Sequence, residues 1–148
     1  MKTDITNKQD ILKIILIFYD RVKTDDVIGI FFTEVVQINW DKHIPHMVSF
    51  WESVLFYTGD YSGSPINTHR GIHQKYKTQP KHFARWIKLF NQVIDENYSG
   101  PNAEKMKNHT ISIAKVMQQK IWVLDKIAIF SLRNSICDFH TVFSHHLR

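Results

Sequence analysis

The chain has a single cysteine, Cys137, so it forms no intramolecular disulfide, and no four-cysteine zinc pattern is present. Five glycines and four prolines among 148 residues are too few for the many tight turns of a β-sandwich or barrel. Long apolar runs are also missing. The stretch from Ile11 to Tyr19 is broken by Lys13 and falls well short of the ~20 residues that a bilayer crossing needs. At the start, Met1-Lys2-Thr3-Asp4 puts an acid where a secretory apolar segment would begin. These shortages exclude a disulfide-built secreted module and predict no membrane association. A reducing cytoplasm is the expected setting.

What remains is a chain of one-domain size that can bury a core, with 43% hydrophobic, 22% charged and 13% aromatic residues. Its formal charge is +5 with nine histidines counted as neutral. That charge, and segments such as His73-Gln74-Lys75-Tyr76-Lys77 followed by Lys81-His82, keep a basic all-α nucleic-acid-binding module as an alternative. The positive charge is not gathered in one run, however, and no helix-turn-helix spacing emerges.

Helical periodicity dominates. Thr6-Asn7-Lys8-Gln9 reads as a capping box, followed by apolar residues Ile11, Leu12, Ile15, Phe18, Tyr19 and Val22. Ile28, Phe31, Phe32, Val35 and Val36 suggest one or two short helices. Trp40 to Thr58 predicts another, with Pro45 placing its regular part from one residue before that proline. A loop at Gly59–Pro65 precedes a short helical piece around Ile66–Gly71. Pro80 opens a helix with Phe83, Trp86, Ile87, Phe90, Val93 and Ile94 on its apolar face, which Gly100-Pro101 ends. Asn102 is the expected cap of the last long helix. No alternation predicts a strand, so the fold class is all-α. Beyond Trp122, Ile129, Leu132, Ile136, Phe139 and Phe143 recur with gaps of 3, 4, 3 and 4. This seam reads as an extra core helix or, alternatively, as a dimer contact.

The histidines carry most of the functional signal. His43 and His46 lie three apart, and His69 and His73 four apart, spacings that can put two rings on one helix face. No His-Glu-x-x-His run accompanies them and Gly71 weakens the second helix, which argues against protein-ligated zinc.

The whole arrangement resembles a group III truncated haemoglobin. The residues that carry the resemblance are Ile17-Phe18-Tyr19-Asp20-Arg21-Val22, and Trp40-Asp41-Lys42-His43 leading to Phe50-Trp51. With them go Gly59-Asp60-Tyr61-Ser62-Gly63-Ser64-Pro65 leading to His69, and Phe83-Ala84-Arg85-Trp86-Ile87-Lys88-Leu89-Phe90. The match runs from about Asn7 to Ile121. It implies a globin-like, truncated two-over-two helical sandwich around haem b (iron protoporphyrin IX) over residues 1–124. Residues 125–148 then form a helical C-terminal extension outside the resemblance.

The same resemblance makes His69 the proximal iron ligand and matches Tyr19, His43 and Trp86 to the distal tyrosine, histidine and tryptophan that donate to bound dioxygen. Phe32, Met47, Phe50, Phe83, Trp86 and Ile87 become the residues lining the cofactor. Lys42, His46, Arg70 and His73 are candidates to reach the propionates. The implied function is binding of dioxygen, nitric oxide or carbon monoxide at a five-coordinate iron, with no catalytic residue assigned. Nitric oxide dioxygenase or peroxidase-like chemistry would need an unidentified reductase, since no flavin or nicotinamide motif is present. The tail leaves a monomer or a homodimer open, and it also admits a haem-based sensor that signals through its C-terminal helix.

Overall fold

The computed structural model describes residues 1–58 and 60–142, and among these it contains helices and no strand. Five α-helices follow in order: α1 (Lys8–Lys23), α2 (Trp40–Phe56), α3 (Pro65–Lys75), α4 (Pro80–Asn97) and α5 (Pro101–Val142). A five-residue π-helical turn, Phe31–Val35, lies between α1 and α2. It replaces the short α-helices expected over this stretch. No helix among the described residues is long and apolar enough to cross a membrane.

The helix starts show how side chains set the boundaries. Asn7, not Thr6, caps α1: its Oδ1 accepts the N–H groups of Gln9 and Asp10 at 2.8 and 3.1 Å. Asp10 returns the favour by accepting the Thr6 N–H and hydroxyl. The reciprocal box exists, one residue later than expected. In α2 regular helix begins at Trp40, five residues before Pro45, because Asn39 caps it by accepting the Lys42 N–H. The bond that Pro45 cannot make would have gone to the Asp41 carbonyl. Both residues are exposed, so water can satisfy that carbonyl and the cost of an internal proline is reduced.

The cap of α5 comes from the far end of the chain. Asp4 accepts the Asn102 and Ala103 N–H groups at 3.0 and 2.9 Å. Asn102, expected as the cap, sits inside the first turn and donates its amide to the Ile5 carbonyl at 2.8 Å. Gly100 makes room for this: its φ is +152°, and a Cβ there would lie 2.4 Å from Asp4 Cγ. The N-terminal arm thus straps the end of the bundle, with Ile5 fully buried beneath it.

The core joins α1, α2 and α4. Phe90 stacks on Trp51 with ring centroids 5.3 Å apart and meets Phe18 edge-on at 5.1 Å. Ile11, Ile14, Ile15 and Val22 of α1, Val48 of α2 and Val93 and Ile94 of α4 fill the space around these rings. A smaller cluster of Phe83, Ala114, Met117 and Ile121 joins α4 to α5. With α1 against α2 and α4, and α4 against α5, two helix pairs are layered as the two-over-two arrangement requires. Asp25 pins the corner after α1: it accepts the Val27 and Ile28 N–H groups and pairs with the Arg85 guanidinium. Burial alone would raise the Asp25 carboxyl, but Arg85 and those N–H groups outweigh it and hold it low.

The backbone of α5 runs unbroken through residue 125 and on to Val142. Of the tail seam, Ile129 is exposed. The side chains of Leu132, Ile136 and Phe139, and Phe143 altogether, lie outside the described residues.

Replacing Asp4 with alanine strips two N–H groups of their cap. The expected loss is about 1–2 kcal/mol of folding stability, read from the urea midpoint. A midpoint equal to that of the parent chain would mean that water caps α5 equally well.

Candidate functional site

Tyr19 follows Phe18 on α1 and points towards α2, where His43 occupies the first helical turns. Its phenol oxygen lies 2.7 Å from His43 Nε2. Burial pushes the Tyr19 phenol well above its usual value. Burial first, and then the nearby charges of His46 and His69, hold His43 below the ordinary histidine value. The phenol therefore keeps its proton, and it donates to Nε2 in the tautomer of the neutral imidazole that carries its own proton on Nδ1. His43 points inward, an orientation the sequence left open because of Pro45.

Two aromatic residues, Phe32 and Trp40, hold this pair. Phe32, from the π-helical turn, packs on Tyr19 at 5.8 Å. Trp40 meets both Tyr19 and His43, at 5.2 and 5.9 Å, and the Lys23 ammonium sits 4.1 Å from its ring centroid. Phe31, the alternative to Phe32, turns away to pack on Tyr76 and His82.

On α3, His69 Nδ1 is 2.7 Å from the Pro65 carbonyl oxygen, one helical turn back. A carbonyl only accepts, so Nδ1 carries the proton and Nε2 is left with a free lone pair. Burial lowers His69 further than this bond raises it, which keeps the ring neutral.

The remaining predicted lining divides into two groups. Met47 and Phe50 lie four and seven residues after His43, on its face of α2, and both are only half-buried against the core. Ile72 lies three residues after His69, on its face of α3, and is likewise half-buried against the core. Phe50 also meets Tyr61 of the loop before α3 at 5.1 Å, and Tyr61 in turn meets His46 at 4.8 Å. Trp86 stacks on Phe90 at 5.9 Å and reaches the neighbourhood of Tyr19 through Phe18 at 6.4 Å. Phe83 and Ile87 belong to the α4–α5 cluster, with Trp86 bridging the two cores.

His73 departs from its candidate role. It is buried, its Nδ1 accepts the Thr78 N–H at 2.9 Å, and its Nε2 lies 2.8 Å from Asp125 of α5. With Nδ1 engaged as acceptor, Nε2 donates, and the ring ties α3 to α5. Sequence reasoning missed Trp40 as a support of the distal pair and Pro65 as the partner of His69. The second was within reach, since a side chain that bonds four residues back along a helix needs only the spacing.

No family model matches the chain. It is similar to the group 3 truncated hemoglobin ctb of Campylobacter jejuni, with 29% identity over 121 residues, spanning 79% of this chain and 89% of that protein. The crystal structure of group III truncated hemoglobin from Campylobacter jejuni superimposes with a TM-score of 0.70 at 26% identity, covering 82% of this chain and 95% of that one.

Burial holds His43 below the ordinary histidine value of about 6.5 in the folded chain, whereas the unfolded chain takes up the proton nearer that value. As pH falls through 6.5 the unfolded state binds more protons, so stability present at pH 7.5 is lost on acidification. His82, lowered by burial and by Lys81, acts in the same direction. Urea midpoints of the cofactor-free chain should drop between pH 7.5 and 5.5. Equal midpoints would contradict neutral, buried rings.

Proposed function

We propose that this relative of the group III truncated haemoglobins, whose truncated globin fold it has, is a cytoplasmic haem b protein that binds dioxygen and other diatomic ligands. The observation that carries the reading is His69: a neutral imidazole with Nδ1 tied to Pro65 and Nε2 left to donate, in a fold that also holds the Tyr19–His43 pair. The lining fits the same cofactor. Phe32, Met47, Phe50, Ile72 and Trp86 are large apolar side chains left half-open. A flat apolar macrocycle covering them gains about 25 cal/mol per Å² removed from water.

When bound, haem would supply an iron able to take a small diatomic ligand. His69, through Nε2, would be the residue that holds that iron. Tyr19 holds a proton on its oxygen and can pass its hydrogen bond from His43 Nε2 to a ligand atom. His43 then stays neutral as a polar neighbour, and Trp40 keeps both rings in place. Trp86 supplies a second N–H donor. The proximal partner is a carbonyl, not a carboxylate, so little electron density is pushed towards the iron. That favours a ligand-binding protein over an efficient peroxidase. Redox turnover of nitric oxide or peroxide would depend on a reductase from outside the chain.

The decisive measurement is an absorption spectrum of the purified protein as isolated, reduced, and reduced under carbon monoxide. A Soret band that shifts with carbon monoxide and is lost in His69→Ala is expected; its absence after haem is added would overturn the reading. Tyr19→Phe should speed dioxygen dissociation roughly two- to tenfold, the equivalent of one hydrogen bond. An unchanged rate would assign the ligand to Trp86 or His43.

One observation favours the sensor version. Asp125, at the root of the 125–148 extension, receives His73 from the helix that carries His69 and Lys77 from the turn just beyond that helix. In a sensor, Asp125→Asn changes the association state with the spectrum intact. An unchanged state leaves that contact purely structural.

A further inference from the structure

A recess of about 460 Å³ opens between α3 and α5, lined by Arg70, Gln119, Lys120 and Val123. Tyr19, His43 and His69 are not among its described lining residues, although Arg70 is the next residue after His69. Among the described lining residues the charged ones, Arg70 and Lys120, are both positive. Arg70 is half-buried, and its Nε is sealed from water with no hydrogen-bond partner among the described residues. The guanidinium as a whole forms no ion pair among those residues. A cationic donor left in this state is costly unless something accepts from it. The acid that α5 presents to α3 does not: Asp125 is already engaged by His73 Nε2 at 2.8 Å and Lys77 Nζ at 2.7 Å.

We propose that this recess binds a small oxyanion, a phosphate or carboxylate group, held between the Arg70 guanidinium and the Lys120 ammonium. The chemistry matches on each side. Arginine presents a rigid fork of N–H donors that meets a phosphate or carboxylate edge in two places, and lysine adds a mobile point charge opposite. Gln119 offers an amide donor at the rim, and Val123, exposed on the same side of α5, gives a short apolar attachment a surface to lie on. The volume falls in the lower part of the ~300–1,000 Å³ range of small-molecule sites, which suits a small anion and not a macromolecular chain.

The test uses the full-length purified protein and inorganic phosphate as probe, titrated calorimetrically at fixed ionic strength, with acetate as the second probe. Saturable one-site binding is expected, weakened at least tenfold in Arg70→Gln and again in Lys120→Gln, a change of an exposed side chain that leaves the fold intact. Lys81→Gln, which removes an exposed cation on α4, should bind as the parent does. No saturable binding of either anion overturns the proposal. So does equal weakening by Lys81→Gln, which would mean diffuse attraction to a basic surface. A third overturning result is an Arg70→Gln variant with unchanged phosphate affinity and a displaced Soret band, which would assign Arg70 to a haem propionate.

Discussion

The contact of Phe90 with Phe18, Trp51 and Trp86 decides where everything else in the molecule lies. One ring on α4 meets α1, α2 and its own preceding turn at centroid distances between 5.1 and 5.9 Å. Because Tyr19 is the next residue after Phe18, fixing Phe18 fixes the origin of the phenol. Because His43 lies two turns before Trp51 on one helix, fixing Trp51 fixes the origin of the imidazole. The 2.7 Å separation of Tyr19 and His43 is thus a consequence of aromatic packing some residues away. Interiors packed at crystal-like density transmit such constraints, since a shift of one ring has nowhere to be absorbed.

Polarity is distributed unequally about the site. On the His43 side, a phenol and an imidazole share a hydrogen bond beneath the Trp40 indole. On the other side stands one imidazole whose only recorded partner is the uncharged Pro65 carbonyl. Under the proposed function, this asymmetry would make the site a binder of polarisable small ligands, with donors on the Tyr19–His43 side and no carboxylate behind His69 to drive bond cleavage. The second histidine on α3, His73, is spent on structure, closing the helix onto Thr78 and Asp125.

The fold class and the order of the helices were legible in the sequence, because those depend on local period, whereas Tyr19, His43 and His69 were singled out through a family resemblance and the structure adds the Tyr19–His43 contact. The sequence's failures share a physical cause. Asp4 caps α5 from nearly a hundred residues away, and no local pattern announces a cap that arrives through space. Asn102 looked right for the same role only because its neighbours were the ones in view. Pro45 misled in the opposite way: the usual penalty for an internal proline presumes that the orphaned carbonyl is buried, and in α2 it faces water. Trp40 carried no periodic signature at the edge of its helix, so its place over Tyr19 and His43 became visible only once α1 and α2 were packed together. Arg70 illustrates the remaining gap, since a missing partner is a property of the assembled surface and not of the chain.

Under the proposed function, and with Tyr19 as the donor, the Tyr19–His43 bond would also limit how strongly the site holds a ligand. In the closed arrangement the phenol already has a good acceptor, and an intramolecular hydrogen bond of this kind contributes about 0.5–1.5 kcal/mol net. A ligand that takes the phenol for itself gains only the difference between the new bond and the old one. The gain therefore grows with the negative charge on the accepting atom, since charge-assisted bonds are roughly twice as strong as neutral ones. A weakly polar diatomic leaves the internal bond in place, whereas one that acquires charge displaces it. Discrimination among ligands of almost identical size is then written into the competition for a single proton, which burial keeps on Tyr19.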